Sequence, residues 1–210
     1  MTYKSIVADP PWQYDNVLDM SDGINRSAMS QYATLDLDQV KSFTRTEPVS
    51  SIHTTRQPYG VGCNVLGDTF AEDSLLWLWV TNPFLLDGSA IEVAKAWGYT
   101  PKQIVTWVKG RLSIDQSHPD YDEAKLVLQI GMGRHLRGCT EHLLLCTRGR
   151  TMAMIQDKGV PNFFVAPRGA HSEKPDEAYA LIQRAIGDVP SLDIFARKRR
   201  PGYDAIGDEL

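Results

Sequence analysis

Apolar positions along the chain fall into two rhythms. Short apolar runs at Ser5–Ala8, Gln103–Val108, His142–Thr147, Phe163–Val165 and Ser191–Ala196 predict strands. Leu75-Leu76-Trp77-Leu78-Trp79-Val80 is unbroken, which suits a strand covered on both faces. Helical spacing appears between them. Leu35–Phe43 is weakly amphipathic, and Asp87–Trp97 places Ile91, Ala94 and Trp97 near one face before Gly98. The clearest helix is Lys174–Ile186. Pro175 stands in its first turn, followed by Asp176 and Glu177, whose charge suits the helix dipole. Ala178, Leu181, Ile182, Ala185 and Ile186 form its apolar stripe, and Gly187 ends it. Strands separated by helices predict an α/β fold, with a mostly parallel sheet and helices on both faces.

Two stretches break the alternation. Arg45–Asp68 is rich in Thr, Ser, Pro and Gly and carries His53, Arg56 and Tyr59; Ser113–Leu136 is polar at first and ends near Gly131-Met132-Gly133. Long loops inside a compact domain are usually functional or disordered, and in open α/β sheets binding loops leave the carboxyl ends of strands. We expect one domain over 1–210, with target-recognition loops at about 45–68 and 113–136.

Composition narrows the setting. Of 210 residues, 42% are apolar, enough for a sizeable core, and the net charge of -4 supplies no global attraction to nucleic acid. The three cysteines, Cys63, Cys139 and Cys146, show no CxxC pairing, which fits a reducing cytoplasm. No apolar run approaches the ~20 residues of a membrane span, and the start has no export pattern. His53, His118 and His135 lack metal-ligand spacing, so no metal is expected. Trp77, Trp79, Trp97 and Trp107 lie in apolar segments and read as core.

The first strand ends in Asp9-Pro10-Pro11-Trp12. Asp9 is an acceptor when ionised, and Pro11 restricts Pro10, so the Pro10 carbonyl is held in a defined direction. Trp12 adds a flat face. Two fixed acceptors beside an aromatic platform suit a planar ring carrying an exocyclic NH2. Such an amine is a poor nucleophile, because its lone pair is delocalised into the ring. Acceptors on both hydrogens favour a more pyramidal nitrogen, ready to attack a methyl sulfonium. The competing reading is a Pro-rich turn with a core-packed tryptophan.

From Asp9 to the C-terminus the chain resembles the adenine-N6 methyltransferase family typified by the seventy-kilodalton catalytic subunit of messenger-RNA adenosine methyltransferase, with its bacterial and phage DNA-modifying relatives. Five collinear blocks carry the resemblance. They are Asp9–Trp12; Gln31-Tyr32-Ala33-Thr34-Leu35; Leu76–Pro83 with Trp97-Gly98-Tyr99 and Val105–Lys109; Gly133–His142 with Thr147-Arg148-Gly149; and His171–Glu177 with Asp193–Arg197 and Gly202–Glu209. The resemblance implies a Rossmann-like S-adenosylmethionine-dependent methyltransferase in permuted order, catalytic corner first and much of the cofactor site last. A G-x-G-x-x-G loop is absent, consistent with that order.

It also implies roles. Asp9 and Pro10 hold the target amine, with Trp12 or Pro11 packing the base. Ala8, Asp9, Lys174, Arg197, Gly207, Asp208 and Glu209 form the S-adenosylmethionine site, with Lys174 on the cofactor carboxylate and Asp208 and Glu209 on the ribose. Glu141 anchors the start of its strand. Arg134, Arg137, Lys198, Arg199 and Arg200, joined by Arg148 and Arg150, would make a phosphate-binding rim on nucleic acid. Single features also have blander readings: Lys174 as an exposed helix-start lysine, Asp208 and Glu209 as a solvated tail, the basic run as a solvated face.

Departures from the family pattern are Gln31 for histidine, His135 for an aromatic, Ile206 for tryptophan and Asp208 for asparagine. The expected function is methylation of adenine N6 in DNA, the base being flipped into the Asp9–Trp12 pocket. The alternatives are RNA adenine methylation, a non-catalytic nucleic-acid-binding partner, and a small-molecule or protein amine methyltransferase. The intact DPPW argues against the non-catalytic reading. A homodimer or a second subunit is a further expectation.

Overall fold

The computed structural model describes residues 2–13, 34–44, 68–114, 124–131, 135–169, 173–207 and 210. Gln31, Arg134, Asp208, Glu209 and nearly all of the 45–68 stretch lie outside the described residues. The order of elements is β1 (Tyr3–Ala8), α1 (Leu37–Ser42), β2 (Phe70–Val80), α2 (Asn82–Leu86), α3 (Ser89–Ala96), β3 (Thr100–Ile114), β4 (Ala124–Leu128), β5 (Thr140–Arg148), β6 (Phe163–Ala166), α4 (Asp176–Ile186), β7 (Ser191–Ile194) and β8 (Tyr203–Ile206).

One curled sheet has the order β4-β3-β5-β2-β1-β7-β8, with β6 also on β3. β1 pairs in parallel with β2 and β7, β7 with β8, and β3 with β6; β2–β5, β3–β5 and β3–β4 are antiparallel. Six strands therefore run one way, and only β4 and β5 oppose them. The mostly parallel α/β sheet expected from the alternation is what forms. The reversal of β5 has large consequences for the site.

Side-chain alternation divides the core between the two faces. Ile6, Leu76, Leu78, Val80, Leu144, Cys146, Leu192 and Ile194 point to one face, where α1, α2 and α3 cover them. Val7, Leu75, Trp77, Trp79, Val105, Trp107 and Leu143 point to the other, where α4 lays down Ala178, Tyr179, Ile182, Ala185 and Ile186. Each buried aliphatic side chain contributes ~1.5–3 kcal/mol. All five tryptophans are at most 6% exposed, so the core reading of Trp77, Trp79 and Trp107 in the sheet and of Trp97 at the end of α3 stands.

The boundaries differ in instructive ways. Asp36 caps α1 reciprocally with Gln39, fixing its start later than the apolar pattern suggests. α2, β4 and β8 were not anticipated, being short and weakly patterned. The 113–136 stretch is not all loop: β3 runs on to Ile114, and β4 returns beside it as a hairpin. Leu112, Leu126 and Leu128 are exposed on this hairpin. No described helix is long and apolar enough to cross a membrane.

Candidate active site

The parallel strands deliver their carboxyl ends to one edge of the sheet, where ligands bind in open α/β folds. β1 ends at Ala8, beside Leu78 of β2 and Ile194 of β7. The Asp9 amide then donates to the Ile194 carbonyl at 3.2 Å, so the corner starts at this edge. β5 runs the other way, so its first residues reach the same edge: His142 pairs with Val80, and Glu141 with Trp107.

Period-two alternation then aligns the charges. Asp9 follows Val7, Trp79 follows Trp77, Lys109 follows Trp107, and Glu141 precedes Leu143. All continue the face covered by α4. Lys174, just ahead of the helix, reaches over this edge. Its Nζ lies 3.1 Å from Asp9 Oδ1 and 2.7 Å from Glu141 Oε1. Lys109 Nζ takes the other oxygen of Glu141, Oε2, at 2.8 Å. The ammoniums of Lys174 and Lys109 also stand over the rings of Trp79 and Trp107, at 5.3 and 4.8 Å.

This packing sets the protonation states. Burial pushes the Asp9 carboxyl above its ordinary value, with Lys174 and Arg197 opposing and Glu141 adding to the rise. Burial also acts to raise Glu141, but Lys174 and Lys109 outweigh it and bring its pKa to about 2. Lys174 sits between two acids, whose pull overcomes burial and raises its pKa, keeping it charged.

The tetrapeptide itself is tightly made. The Trp12 amide donates to the Pro10 carbonyl at 2.8 Å, and the Leu35 amide to the Pro11 carbonyl at 2.9 Å. A carbonyl has two lone pairs, so Pro10 keeps one acceptor position. Trp12 departs from the open platform expected of it. Its indole stacks on Phe84 at 4.9 Å and donates Nε1–H to the Trp79 carbonyl at 3.1 Å. The ring is 6% exposed, so it anchors the corner against α2. Ala8 likewise places its methyl in the core.

At the far end of the chain, β7 leads into Phe195, whose φ of 63° is left-handed. Such a backbone costs a non-glycine residue roughly 1–2 kcal/mol. Packing on Phe43, at a centroid distance of 4.4 Å, holds it. The turn brings Arg197 close enough for its charge to act on Asp9. Gly207 lies against the backbone of Ala196, whose amide donates to the Ile206 carbonyl at 2.9 Å. Its lack of a side chain thus serves close packing of the two strand ends.

The basic rim does not form as expected. Arg200 is not a surface phosphate contact: its side chain is 8% exposed, and it bonds Asp193, Asp176 and the Lys174 carbonyl while stacking on Tyr179. Lys198 is held by Glu173 and Asp176. Arg148 and Arg150 lie at the opposite edge, because β5 is antiparallel and carries them roughly 27 Å along the strand at ~3.4 Å per residue. Arg137 and Arg199 remain exposed. The sequence reading missed Lys109 as a site residue. It also missed Asn82, whose Oδ1 meets His142 Nε2 at 2.7 Å on the other face. Both stood inside the resembling blocks, where period-two spacing from Trp107 would have flagged Lys109.

The α/β sheet thus carries a buried acid–lysine–acid–lysine row at its carboxyl edge, the edge where ligands bind in open α/β folds. The MT-A70 family model matches residues 63–209, and the chain belongs to that family. It is 27% identical over 225 residues to the type II methyltransferase M.MunI of Mycoplasma sp, covering 99% of this chain and 78% of that protein. The N(6)-adenosine-methyltransferase MT-A70-like protein of Arabidopsis thaliana is 25% identical, over 100% of this chain and 24% of that protein. METTL3 of Homo sapiens, an N(6)-adenosine-methyltransferase catalytic subunit, is 26% identical over 66% of this chain and 22% of its own length. The chain thus spans about a quarter of the plant and human relatives.

Proposed function

We propose that this protein transfers a methyl group from S-adenosylmethionine to the N6 amine of adenine in DNA. The observation that carries the reading is the Asp9–Lys174 pair at the carboxyl edge, beside the Pro10 carbonyl.

The donor set fits an amino-acid zwitterion: Lys174 and Arg197 suit a carboxylate, and Asp9 suits an ammonium. When bound there, the cofactor would supply an electrophilic methyl. The chain's own residues prepare the nucleophile. Lys174 sits on Asp9 Oδ1, and the reading assigns Oδ2 to the target amine. Asp9 Oδ2 and the Pro10 carbonyl each accept one hydrogen of the amine, which frees its lone pair. Pro10 and Pro11 fix those acceptors in advance, so little reorganisation is needed during transfer. Asp208 and Glu209 are proposed to complete the ribose side, and Arg137 and Arg199 to meet backbone phosphates.

Coverage of M.MunI over most of both chains favours DNA. RNA is the second reading, favoured by the match of the whole chain to the Arabidopsis adenosine methyltransferase. The test is incubation with labelled S-adenosylmethionine and either unmethylated duplex DNA or RNA, followed by digestion to nucleosides. Labelled N6-methyladenine from DNA is expected. Label only in RNA would replace the first reading with the second, and label in neither would overturn both.

A further inference from the structure

We infer that Lys109 is a positioning residue for the cofactor end of the site, acting through Glu141 on Lys174. The inference rests on the cofactor site proposed above.

The geometry is a row of alternating charge: Asp9, Lys174, Glu141, Lys109. Glu141 divides its two oxygens between two lysines, Oε1 to Lys174 at 2.7 Å and Oε2 to Lys109 at 2.8 Å. All four side chains are at most 16% exposed. With both lysines charged the row is neutral. Without Lys109, one buried negative charge is left uncompensated, and among the described residues Lys174 is the cation left on Glu141. Lys174 would then be drawn from Asp9 toward Glu141. The unscreened Glu141 would also raise Asp9 further, since it already pushes in that direction. Both changes work against holding a zwitterion between Lys174 and Asp9.

The backbone of Lys109 is fixed where several elements meet. Its amide donates to the Cys139 carbonyl and its carbonyl accepts from the Gln129 amide, each at 2.7 Å. It pairs with Ala166, the last residue of β6. Lys109 thus ties the entry of β5, the exit of the β3–β4 hairpin and the edge that Lys174 overhangs. Behind the row, the rings of Trp79 and Trp107 meet edge to face at 6.0 Å, so neither lysine can swing inward.

The test measures binding of S-adenosylhomocysteine by calorimetry from pH 5 to 8, with no turnover required. Lys109→Met is expected to weaken binding about tenfold and to move the acid limb of the binding curve to higher pH. Lys109→Arg is expected to stay within about threefold of wild type. A double-mutant cycle with Glu141→Gln separates the route: Lys109→Met should cost little once Glu141 is neutral. The same tenfold loss in both backgrounds would show direct action or general damage and overturn the inference, as would an unmoved acid limb. If Lys109→Met does not fold by circular dichroism, Lys109→Gln takes its place in the cycle. Absence of binding to the wild type would overturn the cofactor reading and this inference together. Wild-type binding matched by the Lys109 variants would overturn this inference alone.

Discussion

Lys174 Nζ meets Asp9 Oδ1 at 3.1 Å, joining the residue ahead of α4 to the end of β1. Burial holds the Asp9 carboxyl above its ordinary value while Lys174 works to bring it down. The amine-holding role needs the ionised form. Methyl transfer should therefore decline as pH falls through a midpoint above the ordinary ~3.9 of an aspartate. Lys174→Met should move that midpoint higher, because the opposing charge is gone. The pH profile of kcat/KM checks both, and a wild-type limb at or below ~4 would contradict the assignment.

Asp9→Asn keeps the shape of the corner but exchanges an ionised acceptor for a neutral amide. Turnover should drop ~100-fold or more, the scale of losing one preorganised electrostatic contact. Far-ultraviolet circular dichroism should match wild type. Labelled methyl transfer by the variant at near wild-type rate would remove Asp9 from the chemistry.

Glu141→Gln should destabilise the protein by about 3 kcal/mol at pH 7, since two buried ammoniums lose their shared carboxylate. Its folded-state pKa of about 2 lies below the ordinary 4.5. Its stabilisation is therefore present above pH 4.5 and is lost as pH falls from there through about 2. Denaturant melts across acid pH should show that decline in wild type and a shallower one in the variant.

Arg200 and Arg137 should separate cleanly. Arg200→Lys should lower stability by ~2–3 kcal/mol, because an ammonium cannot reproduce the fork shared among Asp193, Asp176 and the Lys174 carbonyl. Arg137→Ala should leave stability unchanged and reduce the salt slope of DNA binding by ~1. Thermal melts and salt titrations distinguish the two.

Gly207→Ala should cost ~1–3 kcal/mol and weaken cofactor binding, because a Cβ there runs into the Ala196 backbone. A melt equal to wild type would mean that the two strand ends part easily.

The layout was legible where residue pattern and chain direction coincide. The runs at Leu75–Val80 and Ser191–Ala196 became β2 and β7, and the stripe on Lys174–Ile186 became α4. Direction itself was not legible. Nothing in Thr140–Arg148 marks the strand as antiparallel, so Arg137 and Arg148 looked like neighbours when β5 sends them to opposite edges. Burial of the corner was also hidden. The Asp9–Trp12 tetrapeptide gives an acceptor pair and an aromatic, but that the indole would be spent on Phe84 depends on α2, a five-residue helix with little pattern. Period-two spacing from Trp107 puts Lys109 on the right face, but its pairing with Glu141, a strand away, was not legible in the sequence.

The five buried tryptophans give the protein a built-in optical gauge. Trp79 and Trp107 sit under the ammoniums of Lys174 and Lys109, and Trp12 stacks at the corner itself. Cations and stacked rings alter indole emission. Occupancy of either half of the site can therefore be followed by intrinsic fluorescence, with Trp12→Phe silencing the corner and leaving changes at Trp79 and Trp107 to be read against the emission of Trp77 and Trp97.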